Sequence, residues 1–437
     1  MVHSKEGFVD FHLEEMSDDD ADDNNAVELD ILEEMCHYPI SNPRCFSVDV
    51  GEWGNDHDND GEEEGSNTVR ENPMLESIQR VFHHFAENEI PWKTLDLHSV
   101  NDHAVHSIGS IVETASRLNL FREMELSLVS FANDIDGILS GIEQNQRLEL
   151  LEIHIQGDAF SESDGFSLER LLTTTQKLRT LRICGVTNLR LESLCRGIAA
   201  NTTLNALSID LSSADDDSLN MLFSTLAMHP SLQFLEMTTS NSCYRESFAK
   251  GLNVLLSFSS SLEHLSLSNF HRNGMLALEE LSDGLKQSRS LKVIETYSAL
   301  CGETNLSTIF RLLPECPTLE RLYFYEQCID KQDLEKIKGM KRLDKPVILF
   351  LSARIINYLS KTIEEVLRCH PEIQLIAHDL GEVGKSLKHL CDLHLHGRYL
   401  LDRRSVPLSL WPLVLQKCAT KENVLYFFLK GPAFAAR

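Results

Sequence analysis

The sequence predicts an α/β solenoid: about nine stacked strand–helix units, parallel strands on the concave face, helices on the convex face, and a helical cap at each end. Three observations predict it. A short apolar string recurs along the chain, its copies are almost evenly spaced, and the text between copies has helical periodicity.

The string is apolar at its first, fourth and sixth positions. It first appears at Trp92, Leu95 and Leu97, then as Phe121, Met124, Leu126 and as Leu148, Leu151, Ile153. It returns at Leu178, Leu181, Ile183; at Leu204, Leu207, Ile209; at Leu232, Leu235, Met237; and at Leu262, Leu265, Leu267. The last two copies start at Leu291, where Thr296 replaces the final apolar residue, and at Leu319, with Leu322 and Phe324. Successive starts are 29, 27, 30, 26, 28, 30, 29 and 28 residues apart. Positions four and six, two residues apart, share one face of a strand.

Between strings the period changes. In residues 216–228, DDSLNMLFSTLAM, an apolar stripe runs through Leu219, Leu222, Phe223 and Leu226, with Asp215 and Asp216 placed to favour the helix start. Similar text covers Leu189 to Ala199 and Leu276 to Leu285. A strand followed by a crossover helix in every unit implies parallel pairing and right-handed connections. No unit can cover its apolar face alone, so the units must stack and share a core.

These strings resemble leucine-rich repeats of the ribonuclease-inhibitor type, over about residues 90–340. The resemblance implies a leucine-rich-repeat solenoid with full helices on the convex side. One departure concerns the Asn or Cys usual nine residues after the first apolar position. It occurs only as Asn101, Asn241 and Cys328, with Thr187 and Ser213 as partial substitutes and Leu300 as none. A polar ladder along those turns is therefore expected to be broken.

The flanks differ in charge. Residues 1–72 hold 22 Asp and Glu against 3 Lys and Arg, a net of −19, within a chain total of −27. The runs SDDDADDNN (17–25) and NDHDNDGEEEGSN (55–67) have almost no apolar content, so the reading makes 1–72 an acidic, mostly disordered tail. Residues 73–90 read as an N-terminal helical cap, opened by Pro73 and striped with Leu75, Ile78, Phe82 and Phe85. Residues 91–340 are the solenoid, and 341–437 a degenerate repeat and helical C-terminal cap. Residues 381–437 carry nine Lys and Arg against four Asp and Glu, a net of +5. There the string GRYLLDRRSVPLSLWPLVLQKC is similar to the C-terminal region of uncharacterised diatom leucine-rich-repeat proteins. Gly397, Arg398, Leu401, the Pro407–Pro412 stretch with Trp411, and Gly431-Pro432 carry that resemblance.

Composition narrows function. The chain lacks the Lys and Arg excess that general phosphate binding needs, so no nucleic-acid partner is expected. Eleven cysteines without a C-x-x-C pair fit reduced thiols, the N-terminus has acidic residues where a secretory signal needs an apolar stretch, and no segment is apolar enough to span a membrane. These features point to the cytoplasm or nucleus.

Each candidate catalytic or metal motif fails at a named position. Asp56, Asp58, Asp60 and Gly61 begin a calcium loop, but Asn67 stands where its bidentate Glu belongs. Gly384-Lys385-Ser386 lacks the first glycine of a phosphate loop, since position 379 is Asp379. The groups His98, His103, His106 and His389, Cys391, His394, His396 do not have zinc-site spacing. The expectation is a non-enzymatic protein with no cofactor and no metal.

What remains is the strand face. The fifth string position reads Asp96, Glu125, Glu152, Arg182, Ser208, Glu236, Ser266, Glu295 and Tyr323, and the seventh supplies Asp210, Tyr297 and Tyr325. An acidic row ending in tyrosines suits a basic protein partner, because tyrosine gives large contact area at low entropic cost. The expected function is a protein-binding scaffold or adaptor using that face. Two alternatives compete: a small-GTPase activator of the ribonuclease-inhibitor-like repeat type, for which Arg122 and Arg182 are the strand-face arginines to inspect, and an acidic histone-chaperone-like protein acting through the tail.

Overall fold

The computed structural model describes residues 2–5, 8–13, 45–50, 73–89, 92–99, 104–129, 135–157, 160–186, 189–211, 214–238, 245–268, 281–297, 305–324, 331–352, 359–378 and 399–401. The chain divides into two compact units, Met1–Ala214 and Asp215–Arg437.

In the first unit, strands β1 (Val2–Lys5) and β2 (Phe8–Leu13) pair antiparallel. From β2 the sheet runs parallel in chain order through β3 (Cys45–Val50), β4 (Thr94–Ser99), β5 (Glu123–Val129), β6 (Leu150–Gly157), β7 (Thr180–Val186) and β8 (Ala206–Asp210). Helices Pro73–Glu87, Ala104–Arg117, Ile135–Ile142, Glu162–Thr174 and Leu191–Ala200 occupy the connections from β3 onward.

The second unit opens with helix Asp216–Met228. Asp215 caps it by accepting the Ser218 amide at 2.8 Å, as the first-turn acids suggest. Parallel strands then follow in chain order: β9 (Phe234–Thr238), β10 (His264–Ser268), β11 (Val293–Tyr297), β12 (Arg321–Phe324), β13 (Val347–Ser352), β14 (Ile373–His378) and β15 (Tyr399–Leu401).

Register is what the evenly spaced strings specify. In the first unit Leu95, Met124, Leu151, Leu181 and Leu207, all fourth-position residues, stand side by side. Leu235, Leu265, Ile294 and Leu322 do the same in the second. Every one of them is buried, so each unit has a single continuous apolar column under its sheet. One irregularity interrupts the ladder, a register shift between His154 and Gly157 where β6 meets β7. Gly185 beside it has φ of 74°, and a β-carbon there would collide with the Ile155 carbonyl oxygen, so only glycine fits.

Two segments carry more strand than the patterns suggest. Within residues 1–72, β3 joins the sheet edge-on to β4, pairing Phe46 with Leu95. Phe46 is buried among Phe82, Phe85, Trp92 and Phe121, with ring centroids 5.3 to 6.5 Å apart, so this aromatic group closes the start of the core. The acidic runs 17–25 and 55–67 lie outside the described residues. Beyond Leu343, β13 and β14 continue the same register, Leu322 to Leu349 to Leu375. Those copies escape the string because their first positions are Pro346 and Glu372.

A polar ladder is present, but on the other turn. Asn145, Thr175, Asn201, His229, Ser259 and Ser288, each three residues before a string, are all buried. Asn145 donates to the Phe121 carbonyl of the preceding repeat at 3.0 Å and accepts the Arg147 amide at 2.9 Å. Asn201 donates to the Leu172 carbonyl at 2.8 Å and accepts the Leu204 amide at 2.8 Å. Ser259 and Ser288 accept the amides of Leu262 and Leu291 in the same way. These side chains satisfy backbone groups that would otherwise be buried without partners where a helix ends and the next strand begins. The usual nine-residue positions fall almost entirely outside the described residues. Replacing Asn201 with Ala should therefore cost about 2–4 kcal/mol in urea unfolding, whereas Ala at exposed Lys177 should cost less than about 0.5 kcal/mol.

Candidate docking face

Alternation along each strand buries positions four and six against the helices and leaves positions three, five and seven on the opposite, open face. In the first unit Asp96, Glu125, Glu152, Arg182 and Ser208 stand in register across β4 to β8. In the second, Glu236, Ser266, Glu295 and Tyr323 do so across β9 to β12. The carboxylates are half-buried and Arg182 is exposed, while Ser208 and Ser266 are buried.

The first-unit acids differ in how they are balanced. Asp96 lies 3.0 Å from His98 Nε2. Glu152 faces His154 at 3.4 Å and accepts from Arg182 at 2.9 Å. At the third position, Glu123 contacts Lys93 at 3.0 Å and accepts from the Thr94 hydroxyl at 2.8 Å. Glu125, between Asp96 and Glu152, has no hydrogen-bond or ion-pair partner among the described residues. Its carboxyl is held above the usual carboxylate range, first by partial burial and then by the charges of Asp96, Glu152 and Glu123, with Arg182 opposing.

In the second unit the acids sit among rings. His264, at the third position of β10, places Nε2 at 2.9 Å from Glu295. Its ring meets Phe234 edge-to-face at 4.6 Å and lies nearly parallel to Tyr323, 14° between planes and 6.4 Å between centroids. Ser266 Oγ, fully buried between Glu236 and Glu295, has no hydrogen-bond partner among the described residues.

The expected row is thus assembled within each unit, with Asp210 half-buried at the end of β8. Tyr297 ends β11 at the seventh position, and Tyr325 lies outside the described residues. Phe234 and His264 belong to the face and were readable from the two-residue strand period, since the third position shares it with the fifth. Arg122 precedes β5, with its guanidinium 3.7 Å from Glu149, and Arg182 is tied to Glu152. Among the described residues no group of three or more His, Cys, Asp or Glu is arranged to hold a metal ion, and no helix is long and apolar enough to cross a membrane. His106 lies on helix Ala104–Arg117, while His103, the His389–His396 group, residues 56–67 and Gly384-Lys385-Ser386 lie outside the described residues.

In both units, parallel strands in constant register alternate with helices over a leucine-rich column. The fold is a leucine-rich-repeat solenoid. Solved structures similar to it include the leucine-rich repeat-containing protein LegL7 from Legionella pneumophila, 13% identical, with a TM-score of 0.43 over 68% of this chain and 90% of that one. Another is Rad7 in its complex with Elc1 in yeast, 12% identical, with a TM-score of 0.40 over 87% of this chain and 76% of that one. No protein-family model and no curated protein matches the sequence.

The Glu125 environment has a pH signature. A carboxyl whose folded-state affinity for protons exceeds its unfolded one destabilises the folded chain once pH rises through both values. Glu125→Gln should therefore raise the melting temperature slightly at pH 7, by less than about 1 kcal/mol of stability because solvent screens this half-buried group. The gain should vanish below about pH 4, where both forms are neutral. Differential scanning calorimetry at the two pH values checks this.

Proposed function

We propose that the open sheet face is a docking surface for a basic protein partner, and that the chain acts as a non-enzymatic scaffold or adaptor. One observation carries this reading: the fixed register gathers half-buried carboxylates into rows on the face opposite the helices, with Glu125 lacking a counter-charge of its own among the described residues. Partial burial and, after it, the charges of Asp96, Glu152 and Glu123 hold the Glu125 carboxyl above the usual carboxylate range, and an incoming Lys or Arg would offset the charge part. The contacts proposed are Asp96, Glu125, Glu152, Arg182, Asp210, Glu236, Glu295, Tyr297, Tyr323 and Tyr325.

In this reading residues 91–340 carry the docking surface, and 1–72 and 341–437 supply its flanks. Unit lengths of 26 to 30 residues with a helix in most connections support the ribonuclease-inhibitor type of repeat. The diatom kinship of the C-terminal region rests on its sequence string alone. Cys316 is a buried thiol, which supports a reducing compartment. Burial pushes the Cys316 thiol up to about 11, so it is poorly reactive at neutral pH. Arg122 and Arg182 face carboxylates, which lends no support to the GTPase-activating alternative.

The test is quantitative capture from native cell extract by the full chain and two variants. Neutralising Asp96, Glu125, Glu152, Glu236 and Glu295 to their amides should remove most basic preys, with circular dichroism unchanged. Neutralising instead the acidic runs 17–25 and 55–67 should leave capture in place. The opposite pattern would shift the assignment to the tail and to the histone-chaperone-like alternative.

A further inference from the structure

We propose that Glu236, Ser266, Glu295 and Tyr323 form a seat for an arginine side chain presented by a partner polypeptide. The proposal rests on the docking reading above and names the chemistry of one contact within it.

Ser266 is the starting point. It stands on the open-face row, yet only 1% of it is exposed, and its Oγ has no hydrogen-bond partner among the described residues. A buried hydroxyl without a partner is costly, and native structures seldom keep one without a reason. Register places Glu236 on the strand to one side and Glu295 on the strand to the other. The two carboxylates therefore flank a short, unsatisfied acceptor, with strand centres about 4.8 Å apart on each side. A group that served these oxygens together would have to donate in several directions at once.

His264 shows what kind of group fits. Its planar ring directs a nitrogen at Glu295 from 2.9 Å, lies within 14° of the Tyr323 plane and meets the edge of Phe234. A planar donor hydrogen-bonded to Glu295 and parallel to Tyr323 is already part of the free protein. A guanidinium has the same flatness, stacks on aromatic faces, and carries five N–H groups in a rigid fork. One edge can serve Glu295 and the other Glu236, with Ser266 Oγ accepting between them. A lysine ammonium is a compact point donor that neither stacks as a plane nor spans both acids. The imidazole holds Glu295 in the free protein, and the guanidinium takes its place.

The experiment measures binding of an oligo-arginine and an oligo-lysine peptide of equal length to the full chain by isothermal titration calorimetry at moderate salt. Oligo-arginine should bind about tenfold more tightly. Tyr323→Ala should abolish that preference, bringing oligo-arginine affinity down to that of oligo-lysine. Ser266→Ala should raise the unfolding midpoint, because it deletes the unsatisfied hydroxyl, and yet weaken oligo-arginine binding several-fold; a purely structural serine would move only the first. His264→Ala should tighten oligo-arginine binding by removing the internal competitor. Equal affinity for the two peptides, with both lost when the open-face carboxylates are neutralised, would overturn the arginine seat and leave the docking reading standing. Failure of both peptides to bind, with the carboxylate variant indistinguishable from the natural chain, would overturn both.

Discussion

Everything in this molecule depends on one geometric constraint: neighbouring strands pair in parallel at a fixed register, so that each apolar string lies beside the next. A strand–helix unit exposes apolar surface on both of its flanks and cannot be stable by itself. Stacking hides that surface only if position four meets position four. A slip of one residue would turn the leucine column outward and the charged positions inward. Near-constant spacing of the strings is the sequence's way of preventing that slip, and Leu181, aligned between Leu151 and Leu207, shows it achieved.

The buried turn residues complete this constraint. Where each helix hands over to the next strand, Asn145 and Asn201 bind both their own turn and the preceding repeat. Adjacent units are thereby joined by directional hydrogen bonds as well as apolar contact, which fixes how they stack. The open face inherits its order from the same register. Glu125 sits between two other acids because Met124 sits between two other apolar residues. Crowding of charge on that face is thus a by-product of core register.

Most of the fold was legible because leucine strings and helix stripes reflect burial directly. What escaped did so for identifiable reasons. Strand β3 was hidden inside an acidic segment: CFSVDV is short, and its one informative residue, Phe46, acquires meaning only from Phe82, Phe85 and Trp92 packed around it. Strands β13 and β14 were missed because Pro346 and Glu372 break the string at its first position while Leu349 and Leu375 keep it at the fourth. The polar ladder does not follow from the nine-residue position; its sequence signal is the Asn, Thr, His or Ser that stands three residues before six consecutive strings, those starting at Leu148 to Leu291. On the open face, the acidic row followed from period two, but the His264 contacts with Phe234, Glu295 and Tyr323 span four strands and depend on side-chain directions that no local pattern encodes.

The most direct test of the register constraint compares two deletions within the first unit. Removing residues 178–203 takes out one whole repeat and places Leu204 where Leu178 stood. Removing Arg182 alone takes out one residue and shifts the rest of β7 by one position. Stability measured by urea unfolding should fall less for the repeat deletion, which should keep a cooperative transition with a smaller denaturant slope. A single-residue deletion that proves milder than loss of the whole repeat would contradict the account.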